Sequence, residues 1–146
     1  RIDKLTLAAL EATLRQHARG LAEREVPVWR ALAAPLAALR RRAEAWAEAL
    51  RAHGLAAVVV EGESTIGGGS LPGETLPTVL CAIQASDAPD GLDAGALAAR
   101  LRLGEPAVVA RVSRDRLLLD PRTVQPSEDE TLVCAVLAAA ATHAGS

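Results

Sequence analysis

The apolar residues change period at Gly54, and this restricts the fold more than any other feature of the sequence. Before it, Leu32, Leu36, Leu39, Ala43, Trp46 and Leu50 recur at alternating intervals of four and three, the stripe of an amphipathic helix. Arg40, Arg41, Arg42, Glu44, Glu48 and Arg51 fall largely on the opposite, solvated face, and Gly54 supplies a stop just past His53. Beyond the glycine, Ala56 to Glu61 is short and β-branched and predicts a buried strand. A second strand is predicted from about Thr78 to Ala85. Val108 to Val112 and Arg116 to Leu119 read as two more, joined by a tight hairpin at Ser113-Arg114-Asp115. The order helix, helix, strand, strand, helix, strand, strand, helix, with the final two strands forming a hairpin, predicts an α+β fold, a small, mostly antiparallel sheet with helices packed on one face.

The flanking elements have local signals of their own. Asp3 is placed to cap a helix carrying Leu7, Leu10 and Leu14 on one face, ended by Gly20. Pro27 predicts an extended Glu25-Val26 step. Gly62 to Gly73 reads as a loop, and Asp87 to Gly95 as a polar loop feeding a short helix with Leu97 and Leu101 inward. Ser127 and Glu130 have the spacing of a capping box before a last helix bearing Leu132, Val133, Val136 and Leu137.

A length of 146 residues suits one domain, and the formal charge of −2 supplies no global field for nucleic acid, so any RNA contact must be local. Two Trp, no Tyr, no Phe and no Met leave alanine and leucine to fill the core, the signature of a GC-rich genome. The lack of Met and an opening at Arg1, directly before a helix and with no leader, predict a piece of a longer chain. Cys81 and Cys134 lie far apart in apolar surroundings and are expected as free, buried thiols in a reducing, cytoplasmic setting. No apolar run approaches the roughly 20 residues of a membrane span.

Three features are candidates for chemistry. Gly67, Gly68, Gly69 and Ser70 combine small size with backbone N–H groups and a hydroxyl that suit an anion; the plainer reading is a connection between two strands. Arg111 interrupts an apolar strand, so it either reaches a sheet edge or meets a carboxylate or phosphate. Arg1 has no local explanation. The run Arg40-Arg41-Arg42 reads as a solvated helix face, with an RNA backbone or a neighbouring subunit as the alternative. His17, His53 and His143 lack metal-ligand spacing, and no metal site is expected.

The opening Arg1-Ile2-Asp3-Lys4-Leu5-Thr6-Leu7-Ala8-Ala9-Leu10-Glu11-Ala12-Thr13-Leu14 resembles a segment of the bacterial selenocysteine synthases, the L-seryl-tRNA(Sec) selenium transferases. Three further blocks follow in the order of that family: residues 67–74 (GGGSLPGE), 105–112 (EPAVVARV) and 117–124 (LLLDPRTV). The departures are Ala107, Ala110 and Pro121. The resemblance implies the C-terminal small domain of a fold-type-I pyridoxal 5'-phosphate enzyme, with residues 1–25 as a helix linking it to a large domain and 26–146 as the small domain. The Schiff-base lysine would lie upstream of Arg1; Lys4 is not that residue, so the chain alone is expected to be inactive. The implied activity converts seryl-tRNA(Sec) to selenocysteinyl-tRNA(Sec) with selenophosphate, in a cytoplasmic homo-oligomer. By the same resemblance Arg1 would hold selenophosphate or the leaving phosphate. Gly68, Gly69, Ser70 and Arg111 would line the substrate end of the cleft, where Arg111 would meet an RNA or selenophosphate oxygen or serve the structure.

Two alternatives stay open on the sequence. One is the small domain of a related pyridoxal-phosphate lyase acting on a small amino-acid or sugar substrate. The other is a non-catalytic module for oligomerisation or tRNA binding. With the first helix separated from a partner domain, some apolar surface is expected to be exposed.

Overall fold

A computed structural model describes residues 2–66, 73–84 and 93–141. The chain divides into two compact units, Arg1–Pro35 and Leu36–Ser146.

The first unit is helical. In α1 (Lys4–Ala18) the Asp3 carboxylate accepts the backbone N–H groups of Leu5 and Thr6 at 2.8 and 2.9 Å, satisfying donors that the first turn leaves open. At the other end Gly20 takes φ +70°, and the Gly20 and Leu21 N–H groups return to the carbonyls of His17 and Gln16, a Schellman closure. A short α2 (Ala22–Glu25) and α3 (Pro27–Ala33) follow. Only Val26 is extended between them, because Glu25 still closes a helical turn and Pro27 takes the first helical position of α3. The stripe expected to run unbroken from Leu32 to Leu50 is interrupted: Ala34, held extended before Pro35, ends α3.

The second unit holds the core. Helix α4 (Leu36–Ala52) buries Leu39, Ala43, Trp46, Ala47 and Leu50 and ends in a second Schellman closure at Gly54, φ +84°. It packs on β1 (Ala57–Thr65) and β2 (Thr75–Gln84). Helix α5 (Ala94–Leu103), capped by Asp93, buries Leu97 and Leu101 as expected. The hairpin β3 (Arg111–Ser113) and β4 (Arg116–Leu119) turns at Arg114 and Asp115, both at positive φ as a two-residue primed turn requires. All pairings are antiparallel and the order is β1-β2-β4-β3, which confirms the α+β expectation.

The register defines two faces. Val79, Cys81 and Ile83 of β2 share one with Leu117 and Leu119 of β4, and all five are buried toward the helices. Thr78, Leu80 and Ala82 share the other with Leu118. A Cβ at Gly62 on this second face would stand 2.7 Å from Leu80 Cδ1, so a larger residue there would have to displace that side chain. Helix α6 (Asp129–Ala141) packs against α4 and α5 through Leu132, Val136 and Ala139.

Several boundaries differ from the sequence reading. Strand β1 continues through Gly62 to Thr65 where a loop was expected, and as an edge strand it buries only Ala57 and Ser64. Val108 to Ala110 lie outside the ladder; the Val108 N–H instead meets the Leu101 carbonyl. The last helix is introduced by a 3-10 turn, Pro126–Glu128, so the reciprocal cap is Gln125 with Glu128 rather than Ser127 with Glu130.

Candidate functional site

Strand alternation, the hairpin and the turn after β4 bring Ser64, Thr78, Arg111 and Asp120 to the second face of the sheet. The pairing Arg111↔Leu118 fixes Arg111 on that face, and Asp120 follows the last residue of β4. Asp120 Oδ1 accepts the Thr78 hydroxyl and the Arg122 backbone N–H, each at 2.9 Å, and Oδ2 accepts the Ser64 hydroxyl. The carboxylate thus ties β1, β2 and the 3-10 turn Pro121–Thr123 into one node. Arg122, itself buried, donates from Nη2 to the Pro77 carbonyl at 2.7 Å and closes the node on β2.

Over this node lies a cavity of about 220 Å³. Leu80, Leu118 and Val109 form its apolar walls, and Ser64, Thr65, Thr123, Asp120 and Arg111 its polar ones. Arg111 donates to the Glu63 carbonyl at 3.2 Å and stays exposed. No carboxylate of the described residues approaches it within ion-pair distance. A wider groove of about 420 Å³ runs along α5 and α6, walled mainly by Leu101, Leu103, Pro106 and alanines, with Arg100 and Glu105 as its charged members.

Of the residues singled out in the sequence, only Arg111 can be placed in this geometry. Arg1, Gly67, Gly68, Gly69 and Ser70 lie outside the described residues. The arginine run is not uniformly solvated, contrary to expectation. Arg40 pairs with Glu61 at 2.7 Å between two exposed side chains. Arg42 turns inward: it engages both oxygens of Asp129, donates to the carbonyls of Pro121 and Val124, and lies 5.3 Å over the Trp46 ring. Its planar fork satisfies acceptors from three segments at once, which a lysine could not reproduce.

The thiols are free, as expected, but only Cys81 is buried; Cys134 is exposed. Burial pushes the Cys81 thiol up to about 12, with the charge of Arg51 acting in the opposite direction, so Cys81 is an inert core residue rather than a nucleophile. Among the described residues no group of His, Cys, Asp and Glu could hold a metal ion, and no helix is long and apolar enough to cross a membrane. His17 stacks edge-on to Trp29 and His53 bonds to the Ala49 carbonyl, which accounts for both structurally.

Asp120, Ser64 and Thr78 were not singled out from the sequence. The available signal was weak: a carboxylate between an apolar strand and a proline, and hydroxyls at alternating strand positions.

Comparison with known proteins follows the same residues. The family model for L-seryl-tRNA selenium transferase matches residues 1–125. An L-seryl-tRNA(Sec) selenium transferase of Geobacter metallireducens is 41% identical over 145 residues, covering 97% of this chain and 30% of the relative. That of Aquifex aeolicus is 41% identical over 133 residues, covering 90% and 28%. That of Nitratidesulfovibrio vulgaris is 46% identical over 132 residues, covering 88% and 27%. The chain therefore spans about 30% of the length of these relatives.

Proposed function

The chain belongs to the L-seryl-tRNA selenium transferase family, and on that premise we propose that it is the small C-terminal domain of an enzyme that converts seryl-tRNA(Sec) to selenocysteinyl-tRNA(Sec). The observation that carries this reading is the family match through residues 1–125, which includes the strand bearing Arg111 and the turn bearing Asp120. Selenophosphate would be the selenium donor, and the enzyme a cytoplasmic homo-oligomer. Residues 1–25 would link this domain to the larger one.

Pyridoxal phosphate is the cofactor such an enzyme implies, and it requires a lysine that forms a Schiff base. The only lysine of this sequence, Lys4, stands in the first turn of α1. The cofactor would be held mainly by the larger domain. What this chain would add is substrate contact. Arg111 offers an exposed, planar cation on a rigid sheet, anchored at its Glu63 bond. Arg1, Gly68, Gly69 and Ser70 would complete the substrate side, with Arg1 holding an anion.

The test is turnover. The intact protein should form selenocysteinyl-tRNA(Sec) from seryl-tRNA(Sec) and selenophosphate, and the 146-residue chain by itself should not. Arg1→Ala should lose turnover while the cofactor stays bound; unchanged turnover removes Arg1 from the site. Failure of the intact protein to act on seryl-tRNA(Sec) overturns the reading.

A further inference from the structure

We infer that the sheet-face cavity is a subsite for one unstacked nucleoside of an RNA strand, the terminal one of an aminoacyl-tRNA. The inference rests on the function proposed above and deepens it by naming what this one cavity holds.

Charge decides against a bare anion. Arg111 and Asp120 both line the cavity, so their formal charges cancel. Both side chains border the same space of about 220 Å³, small enough that one ligand would meet both. A free phosphate or selenophosphate drawn to Arg111 would thus remain under the field of the Asp120 carboxylate. A neutral ligand pays no such penalty.

The walls specify what kind of neutral ligand. Leu80, Leu118 and Val109 offer an apolar surface, and the Arg111 guanidinium offers a flat one. An aromatic base stacks on both kinds, which is how proteins hold unpaired RNA bases. The bond to the Glu63 carbonyl tethers the Arg111 guanidinium to the sheet at this cavity. Asp120 already accepts three hydrogen bonds, whereas a carboxylate has about four acceptor positions. One position is left for an exocyclic amino group or a ribose hydroxyl. The Thr123 hydroxyl donates to the Asp120 carbonyl, which frees its oxygen to accept a further bond. A flat amphipathic ring bearing both donors and acceptors matches this set.

The experiment follows the methyl NMR signals of Leu80, Leu118 and Val109 in the intact protein. Adenosine, cytidine and the trinucleotide CCA are titrated, with inorganic phosphate as the ion control. Saturable shifts at these methyls with CCA or a nucleoside, and none with phosphate, are expected. Arg111→Ala should weaken that binding roughly tenfold or more, and Arg111→Lys, which keeps the charge but not the plane, should restore little of it. Silent methyls at millimolar nucleoside overturn the subsite. So does an equal response to phosphate, or full recovery of affinity in Arg111→Lys. Turnover of seryl-tRNA(Sec) is measured in parallel: activity with silent methyls sinks the subsite alone, whereas responding methyls without activity support the subsite and sink the proposed reaction.

Discussion

Helices α1 and α4 have similar lengths and similar apolar periodicity, yet one buries nothing and the other anchors the core. Leu7, Leu10 and Leu14 of α1 remain 53%, 48% and 57% exposed, while Leu39 and Leu50 of α4 are at 1% and 0%. Both helices end in the same glycine closure, and α1 has in addition a side-chain cap at its N-terminus. Their local chemistry is therefore equally sound. What differs is that α4 lies against a sheet whose facing residues, Val79, Cys81 and Ile83, are themselves apolar. An apolar stripe makes a helix able to pack; the layer opposite makes packing stabilise.

The largest expected effect tests that contrast directly. Leu50→Ala should cost about 3 kcal/mol of unfolding free energy, from lost burial and the cavity it leaves. In the 146-residue chain Leu10→Ala should cost under about 0.5 kcal/mol, as for an exposed position. Urea unfolding of both variants checks the pair, and equal losses would mean that α1 is as well packed as α4. A smaller effect is expected for Arg42→Ala, about 2–3 kcal/mol, because Asp129 and two carbonyls lose a charged partner in a half-buried site. Arg42→Lys should recover less than half of it, measured the same way. That result would show α4 stabilised through polar ties as well as through its stripe, a sharper form of the comparison.

The smallest effect concerns α1 alone. Hydrogen bonding from Thr6, side chain first and backbone second, holds the Asp3 carboxyl below its ordinary value of 3.8. A group with a lowered folded pKa contributes its stabilisation above the unfolded value and loses it as pH falls through the folded one. Helical circular dichroism from α1 should therefore be constant from neutral pH down to about the ordinary carboxyl range and weaken only below it. The acid step should vanish in Asp3→Ala, and the core signals of the second unit should not follow it.

Much of the architecture was legible in advance. The boundaries of α1, the stop of α4 at Gly54, the inward Leu97 and Leu101 and the Ser113–Arg116 hairpin all follow from signals a few residues apart. The break at Pro35 was legible too, since a residue before proline leaves the helical region; the apolar spacing from Leu32 to Leu36 runs through it and hides it. The site was less legible. Arg111 stands out as a charge in an apolar run, whereas Asp120 reads as a turn residue and Ser64 as part of a loop.

What the sequence determined by itself is the set of elements and their ends, because caps, glycine closures and prolines act over three or four positions along the chain. The tertiary structure alone decided which polar groups meet. Ser64 finds Asp120 across 56 positions and Arg42 finds Asp129 across 87. Those pairings depend on strand register and helix placement: shifting β1 by one residue would turn Ser64 to the other face and leave the Asp120 node without its partner.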